Sequence, residues 1–481
     1  MSGFAQRLEE FDQYVMNHIP IRLIRLSDMK FVGRDDVRKH FRSSVPQTDP
    51  YGNYTHSRLV KYAILSHRWL DSGEPTYEEM KTGKAVGLGY EKLKNFCREA
   101  RHCKLEFAWS DTCCIDKNSS TELDESIRSM FRWYRNSEIC IVHLAKSTTI
   151  EDISKDEWTA RGWTLQELLA PFCIKFFNKY WIPMTDDPND KRKDPDTKIL
   201  RTLEKATGIP RDKLYWEFKP GPSKVDERMV WAAKRKTTRV EDVAYSLMGI
   251  FDVSLQIAYG EGGDRAFCRL IEAIMQAGDP SVLNWKGTAA KHHTSDAIPR
   301  SPKSFLDRRE LKLASSGRLE MTMTGLGLRV PLVILPLNLP LAMAAGTGRA
   351  RISFDCLLCP DSNIRVDINV HNSLAHGQYQ YALGIINYSL VRDGSCEVVE
   401  MQGKSAGFPL RCRQVDLSSS STGTSTPRTT TSSVVGFETV YLEQIFGPWR
   451  KIREEGLIEV KFPITVPSFH IERKYLEIVH L

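Results

Sequence analysis

Trp163 and Glu167 stand four residues apart in the segment Arg161-Gly-Trp-Thr-Leu-Gln-Glu-Leu-Leu-Ala170, which Pro171 closes. On a helix that spacing puts both side chains on one face, one turn apart. Leu165, Leu168 and Leu169 occupy the other sides and suit a core. A carboxylate would then stand beside an indole on a short, firmly held helix. An apolar wall raises a carboxyl pKa or sharpens its electrostatic role. The same pattern also fits a core tryptophan beside a solvated glutamate.

Two further clusters fall where strands end. Tyr62-Ala-Ile-Leu65 is a short apolar run that predicts a buried strand, and Ser66, His67, Arg68 and Trp69 follow at its carboxyl end. In open parallel α/β sheets ligands bind at that edge. Arg68 has the forked geometry to hold a phosphate, or it pairs with a local carboxylate such as Asp71. Leu105-Glu-Phe-Ala-Trp109 predicts the next strand, with Asp111 just beyond it. Cys113 or Cys114 with His67 would make a nucleophile and base; buried structural thiols are the plainer alternative.

The elements that must position these residues alternate. Helices are expected at 90–101 and 121–135, further strands at 137–144 and 173–177, and the Trp163–Glu167 helix lies between the last two. This β-α-β-α-β-α-β order predicts a parallel sheet with helices on both faces. Before it, residues 1–54 supply a helix over 3–17, whose Phe4, Leu8, Phe11 and Val15 form a stripe, and a short strand at Ile21–Leu26. Residues 33–55 are polar and predict a loop. Residues 183–198 read as a charged surface excursion, and 197–275 as mainly helical. The basic run Lys234-Arg-Lys236 reads as a solvated helix face. From about 285 to 481, short apolar or alternating runs separated by Gly, Pro, Asn and Asp predict a mostly antiparallel β domain. Residues 416–434 are Ser- and Thr-rich low-complexity sequence, expected to be a disordered loop.

Composition limits the alternatives. The 481 residues allow roughly two to four domains. With 41% hydrophobic and 26% charged residues the chain is ordinary for a globular protein, and a net charge of +7 is too diluted to argue for nucleic acid. The eleven cysteines include the adjacent pair Cys113-Cys114 and residues inside apolar runs, a usage that predicts reduced thiols and a cytoplasmic location. Cys356-Leu-Leu-Cys359 has no second pair at metal-site spacing, so no metal is expected. The N-terminus lacks an apolar signal core. The apolar run 330–346 is broken by Pro331, Pro336 and Pro340, so no membrane span is expected.

Five ordered motifs resemble one family. They are 62–69 (Tyr-Ala-Ile-Leu-Ser-His-Arg-Trp), 111–117 (Asp-Thr-Cys-Cys-Ile-Asp-Lys), 129–135 (Ser-Met-Phe-Arg-Trp-Tyr-Arg), 161–171 and 237–245 (Thr-Thr-Arg-Val-Glu-Asp-Val-Ala-Tyr). Together they resemble the fungal heterokaryon incompatibility (HET) domain over roughly 55–280, with a β-rich remainder at 285–481 similar to the region that often follows it. The family in turn resembles Toll/interleukin-1 receptor (TIR) domains. Ser66-His-Arg-Trp69 is similar to the Ser-Phe-Arg-Gly that ends a TIR strand, and Trp163-Thr-Leu-Gln-Glu-Leu168 shares the Trp-x-x-x-Glu-Leu frame of a TIR helix. The resemblance implies a flavodoxin-like parallel sheet. It also implies that Glu167 is catalytic in cleaving the nicotinamide–ribose bond of NAD+. Ser66, His67, Arg68, Trp69, Asp111 and Trp163 would then bind substrate. NAD+ would be a substrate, not a resident cofactor.

The resemblance implies a cytoplasmic cell-death effector of fungal innate immunity, active once self-assembled and answering to an incompatibility partner protein. The alternative from another class is a TIR-like scaffold that kills by recruitment, with Glu167 structural. A Glu167 buried against a cation favours the scaffold, and one open to a site shared with Arg68 favours the enzyme.

Overall fold

In a computed structural model, the structure describes residues 3–46, 55–56, 59–191, 194–291, 295, 297–311, 319–338, 349–356, 366–371, 379–393, 396–402, 404–413, 449–452, 456–461 and 468–481. The chain divides into two compact units. The first is Met1–Ile274 with Ser301–Leu306; the second is Met275–Arg300 with Asp307–Leu481.

The first unit runs α1 (Gly3–His18), β1 (Arg22–Arg25), β2 (Lys30–Gly33), α2 (Arg34–Phe41), β3 (Tyr62–His67), α3 (Tyr77–Lys81), α4 (Leu88–His102), β4 (Phe107–Trp109), α5 (Ser120–Asn136), β5 (Ile139–His143), α6 (Thr164–Leu169) and β6 (Ile174–Phe177). Six helices follow: α7 (Lys198–Thr207), α8 (Arg211–Tyr215), α9 (Val225–Ala233), α10 (Asp242–Tyr245), α11 (Met248–Phe251) and α12 (Gly263–Met275). The α2 helix stands where the polar sequence of 33–55 predicts loop. Its apolar face holds only Val37 and Phe41, too few to register as a period.

The sheet order is β2-β1-β4-β3-β5-β6. Strands β4, β3, β5 and β6 are parallel, and β1 joins β4 antiparallel, so the sheet is mixed and not wholly parallel. From β3 the chain moves to β4 on one side, then crosses to β5 on the other and on to β6. The strand order therefore reverses between β3 and β5.

Alternation along β3 divides its side chains between two covered faces. On one, the Tyr62 hydroxyl donates to the Trp133 carbonyl of α5 at 2.6 Å, and Ser66 meets α6. On the other, α4 brings Lys92 to the strand end, where its ammonium donates to the Arg68 carbonyl at 3.2 Å. Trp109, Trp133, Trp158, Tyr62, Phe96 and Phe176 are fully buried. Trp109 meets Trp133 edge-on at 5.6 Å, as Trp158 meets Phe176.

Much of the 183–198 segment lies at the surface as its charge predicts, with Pro183, Asp186, Asp194 and Asp196 exposed, but two of its charged residues turn inward. Asp190 and Lys191 are buried. Asp190 accepts from the Phe176 amide at 2.7 Å and pairs with Lys175. Lys191 donates to the carbonyls of Leu168 and Pro171, at 3.0 and 3.1 Å, and to that of Leu169, so its ammonium closes the C-terminal end of α6. Charge pattern alone does not reveal that a lysine is needed to satisfy carbonyls that a six-residue helix leaves open.

The second unit is antiparallel β throughout its described strands: β7 (Thr322–Thr324), β8 (Gly327–Asn338), β9 (Arg349–Cys356), β10 (Val366–His371), β11 (Tyr379–Ile385), β12 (Ser389–Asp393), β13 (Cys396–Gln402), β14 (Lys404–Arg413), β15 (Arg450–Lys451), β16 (Ile458–Lys461), β17 (Ser468–Glu472) and β18 (Leu476–His480). Nine of them form one sheet and β12-β13-β17 another. Much of the apolar run at 330–346 is strand β8. The Lys451 ammonium sits 4.4 Å from the Trp285 ring centre and donates to the Trp285 carbonyl. The low-complexity stretch 416–434 and Cys359 lie outside the described residues.

Replacing Lys191 with Met keeps the aliphatic stem but strips three buried carbonyls of their donor. Unsatisfied buried groups cost about 1–3 kcal/mol each, so a loss of at least about 3 kcal/mol in denaturant unfolding is expected. A change below about 0.5 kcal/mol would mean that water reaches those carbonyls.

Candidate active site

Glu167 lies on α6, a helix of six residues that are all buried. Thr164 starts it, its hydroxyl donating to the Trp158 carbonyl at 2.6 Å. Gly162 precedes it because the chain passes very close to a neighbouring segment. A Cβ there would stand 2.4 Å from Thr237 Cγ2, and the Gly162 amide donates to the Lys236 carbonyl at 2.8 Å. Leu165, Leu168 and Leu169 anchor the helix in the core.

Glu167 is 5% exposed, and its Oε2 accepts a hydrogen bond from the Ser66 hydroxyl at 2.5 Å. Ser66 Oγ in turn accepts from the Trp158 indole N–H at 2.8 Å. Burial, and next the charge of Asp111, push the Glu167 carboxyl up to about 8, against the opposing pull of Ser66, Arg161 and Arg235. The Tyr134 hydroxyl lies beside it, donating to the Leu65 carbonyl at 2.8 Å.

Arg235 is the cation behind the helix. Its guanidinium donates to the Arg161 carbonyl and the Thr164 hydroxyl, at 2.8 and 2.9 Å, and its Nη2 is buried without a partner. Burial lowers its pKa to about 10, with Glu167 opposing. Arg235 therefore departs from the solvated-face reading of the Lys234–Lys236 run, whereas Lys234 and Lys236 are exposed.

The Trp163 indole does not serve the carboxyl as the four-residue spacing predicts. The helix begins only at Thr164, and the indole N–H donates to Asp242 Oδ2 at 2.9 Å. That bond ties the 161–171 and 237–245 motifs together, and Asp242 also accepts from the Tyr259 hydroxyl at 3.0 Å. The indole N–H that reaches the Glu167 cluster is that of Trp158. It lies nine residues before Glu167 in a 3-10 turn, Glu157–Ala160, where no helical period could single it out.

On the other face, His67 and Asp111 meet: His67 Nε2 is 3.2 Å from Asp111 Oδ1, and the Trp69 indole donates to Oδ2 at 2.8 Å. Burial drives the Asp111 carboxyl upward, but His67, Lys117 and Trp69 outweigh it and the net shift is downward. Burial, then Lys92, lower the His67 pKa. Lys117 lies over the Trp69 ring at 4.0 Å. Arg68 is held by two carboxylates, Asp71 at 2.8 Å and Glu157 at 2.5 Å. That is the local pairing its sequence context allows, with Glu157 added.

The cysteine nucleophile is not assembled. His67 binds Asp111 through Nε2 and its Nδ1 has no hydrogen-bond partner, so neither nitrogen engages a thiol. The Cys113 thiol is driven well above its usual pKa by Cys114 and by burial. Among the described residues, no cluster of His, Cys, Asp or Glu is arranged to hold a metal ion, and no helix is long and apolar enough to cross a membrane.

Residues 62–151, from β3 past His143, match the family model described as heterokaryon incompatibility protein (HET). Over those residues the chain is similar to a HET domain. The matched span holds Ser66, His67 and Asp111 and ends before Trp158 and Glu167. The chain is also similar to vegetative incompatibility protein HET-E-1 of Podospora anserina, 41% identical over 260 residues. That alignment covers 51% of this chain but 18% of the relative's length. No solved structure matches.

The Glu167 carboxyl is protonated in the folded chain at pH values where the unfolded chain has lost that proton. Its stabilising contribution is therefore complete below about pH 4.5 and is lost as pH rises toward about 8, at about 1.4 kcal/mol per unit. Glu167→Gln mimics the protonated form, so its stability should exceed that of wild type at pH 8 and match it near pH 4.5. Urea unfolding across that range reads this directly. A wild-type curve that stays flat relative to the mutant would show an ionised Glu167.

Proposed function

We infer that this chain is a fungal heterokaryon incompatibility effector. Its first unit, of TIR-like fold, would cleave the nicotinamide–ribose bond of NAD+ through Glu167 when copies assemble inside the cell. The observation that carries the reading is a buried carboxyl with a strongly raised pKa, hydrogen-bonded to a strand-end serine. It lies beside the point where the parallel strand order reverses, the place where α/β sheets bind ligands. The reversal is also that of a flavodoxin-like sheet, which supports the TIR-like assignment. The named relative is a vegetative incompatibility protein, which supports the biological role.

The chemistry follows from charge. As the C1′–N bond breaks, its electron pair neutralises the pyridinium nitrogen and positive charge moves to the sugar. An ionised carboxylate next to C1′ stabilises that charge. Water then adds to C1′ and releases a proton. The cationic pyridinium favours ionisation of Glu167 as it approaches, and the Ser66 hydroxyl orients the carboxylate. Arg68, bridging Asp71 and Glu157, would have to exchange a carboxylate for the pyrophosphate.

A second reading, a death-inducing scaffold that recruits a partner protein, is favoured by the burial of Glu167 and the Arg235 charge behind it. Incubating concentrated protein with NAD+ separates the two. Nicotinamide release should fall at least 100-fold in Glu167→Gln, and kcat/KM should rise with pH toward about 8, because it reports the free enzyme's carboxyl. No release from either protein, even when copies are forced to cluster, would leave the scaffold.

A further inference from the structure

The face of the sheet edge opposite Glu167 holds polar atoms that bond cleavage leaves unused. His67 and His143 end β3 and β5 and are register partners across the reversal point, so they project from the same face. Both are over nine-tenths buried, and each has one ring nitrogen without a partner: Nδ1 of His67 and Nε2 of His143.

Both free nitrogens are acceptors. Asp111, held ionised, can only accept, so His67 donates to it through Nε2. The Lys179 backbone beside His143 favours the protonated ring, as a carbonyl facing a ring N–H does, and Nε2 is the nitrogen left without a partner; the Lys179 amide itself donates to the Ser147 carbonyl. The ring therefore donates through Nδ1, which leaves the Nε2 lone pair. Burial, Lys92 and His67 bring the His143 pKa down to about 4, so the imidazole stays neutral.

A third acceptor adjoins them. Glu74 Oε1 lies 3.9 Å from His67 Nδ1, and Glu74 Oε2 is buried without a partner. The nearby Lys92 ammonium is committed to Glu74 Oε1 and the Arg68 carbonyl. An aromatic wall completes the cluster. Trp181 stacks on His143 with ring centres 4.4 Å apart and planes 8° from parallel. Its backbone is left-handed at φ 62°, in a loop whose neighbours Tyr180 and Ile182 are exposed.

Acceptors without donors beside an aromatic wall call for a flat ligand bearing N–H groups. An exocyclic –NH2 directs two hydrogens about 120° apart, which reach acceptors about 5 Å apart at ordinary hydrogen-bond lengths. Adjacent strands are spaced about 4.8 Å apart. We propose that His67 and His143 recognise the two hydrogens of the exocyclic –NH2 of a planar nitrogen heterocycle packed against Trp181, either a purine amino group or a pyridine carboxamide, with Glu74 sharing the hydrogen that faces His67. The assignment rests on the reading of this edge as a nucleotide site, and it names the group that edge selects.

Equilibrium binding to the full chain carrying Glu167→Gln, in which turnover is removed, tests it. The probes are adenosine and nicotinamide, each beside a partner lacking the –NH2, inosine and methyl nicotinate. At least one –NH2 compound should quench tryptophan fluorescence and bind at least tenfold tighter than its counterpart. His143→Phe keeps a stacking ring without the acceptor and should lose that tenfold preference. Trp181→Leu, in the exposed loop, should weaken binding and abolish the quench even if His143→Phe fails to fold. No binding at millimolar concentration, equal binding of the paired probes, or unchanged binding in folded His143→Phe would overturn the assignment and leave a buried water as what serves these atoms. Binding as expected without NAD+ cleavage in the parent would sink the cleavage reading alone. Cleavage by a parent that shows no –NH2 preference would sink this one alone.

Discussion

The desolvation of one carboxyl governs the first unit. Glu167 is enclosed by its own helix, by Ser66 and by Trp158, and burial outweighs the two arginine charges nearby. Holding a carboxyl in that state requires a helix that cannot shift. Both ends of α6 are accordingly tied by cations, the buried Lys191 on the last carbonyls and the half-buried Arg235 on the residues that start it. A short helix cannot hold itself by its internal hydrogen bonds, since most of its carbonyls and amides have no partner within it. Its rigidity is imported from distant parts of the chain.

The reversal of strand order between β3 and β5 sets where polar groups can collect. Adjacent residues of β3 then serve opposite faces. Ser66 faces α6 and its carboxyl; His67 faces α4, with Asp111, Glu74 and Lys92 around it. The two clusters sense each other, because Asp111 raises the Glu167 pKa from across the edge. Altering charge on one face therefore alters protonation on the other without any direct contact.

The motif pairs are explained by packing as much as by chemistry. The glycine of the 161–171 segment permits close passage against Thr237, and Trp163 is anchored on Asp242. Asp242 is pushed up by burial, and the hydrogen bonds from Trp163 and Tyr259 hold it. Glu241 next to it accepts from the amides of Gly260 and Gly262. Residues that look like a site in sequence here brace the segment that presents Glu167.

The sequence by itself determined the alternation of strands and helices, the change to antiparallel β structure in the second half, and the placing of Ser66, His67 and Asp111 at strand ends. These follow from local periodicity and from the short apolar runs that end in polar residues. It also marked Glu167 as the carboxyl to watch. Only the tertiary structure decided which indole N–H reaches that carboxyl's cluster, that Lys191 and Arg235 direct their charged ends onto its helix, and that His143 stands beside His67. The physical reason is common to all three. Each depends on satisfying a buried polar group with a partner far away in the chain, and residue type and spacing carry no record of which distant group will be left wanting.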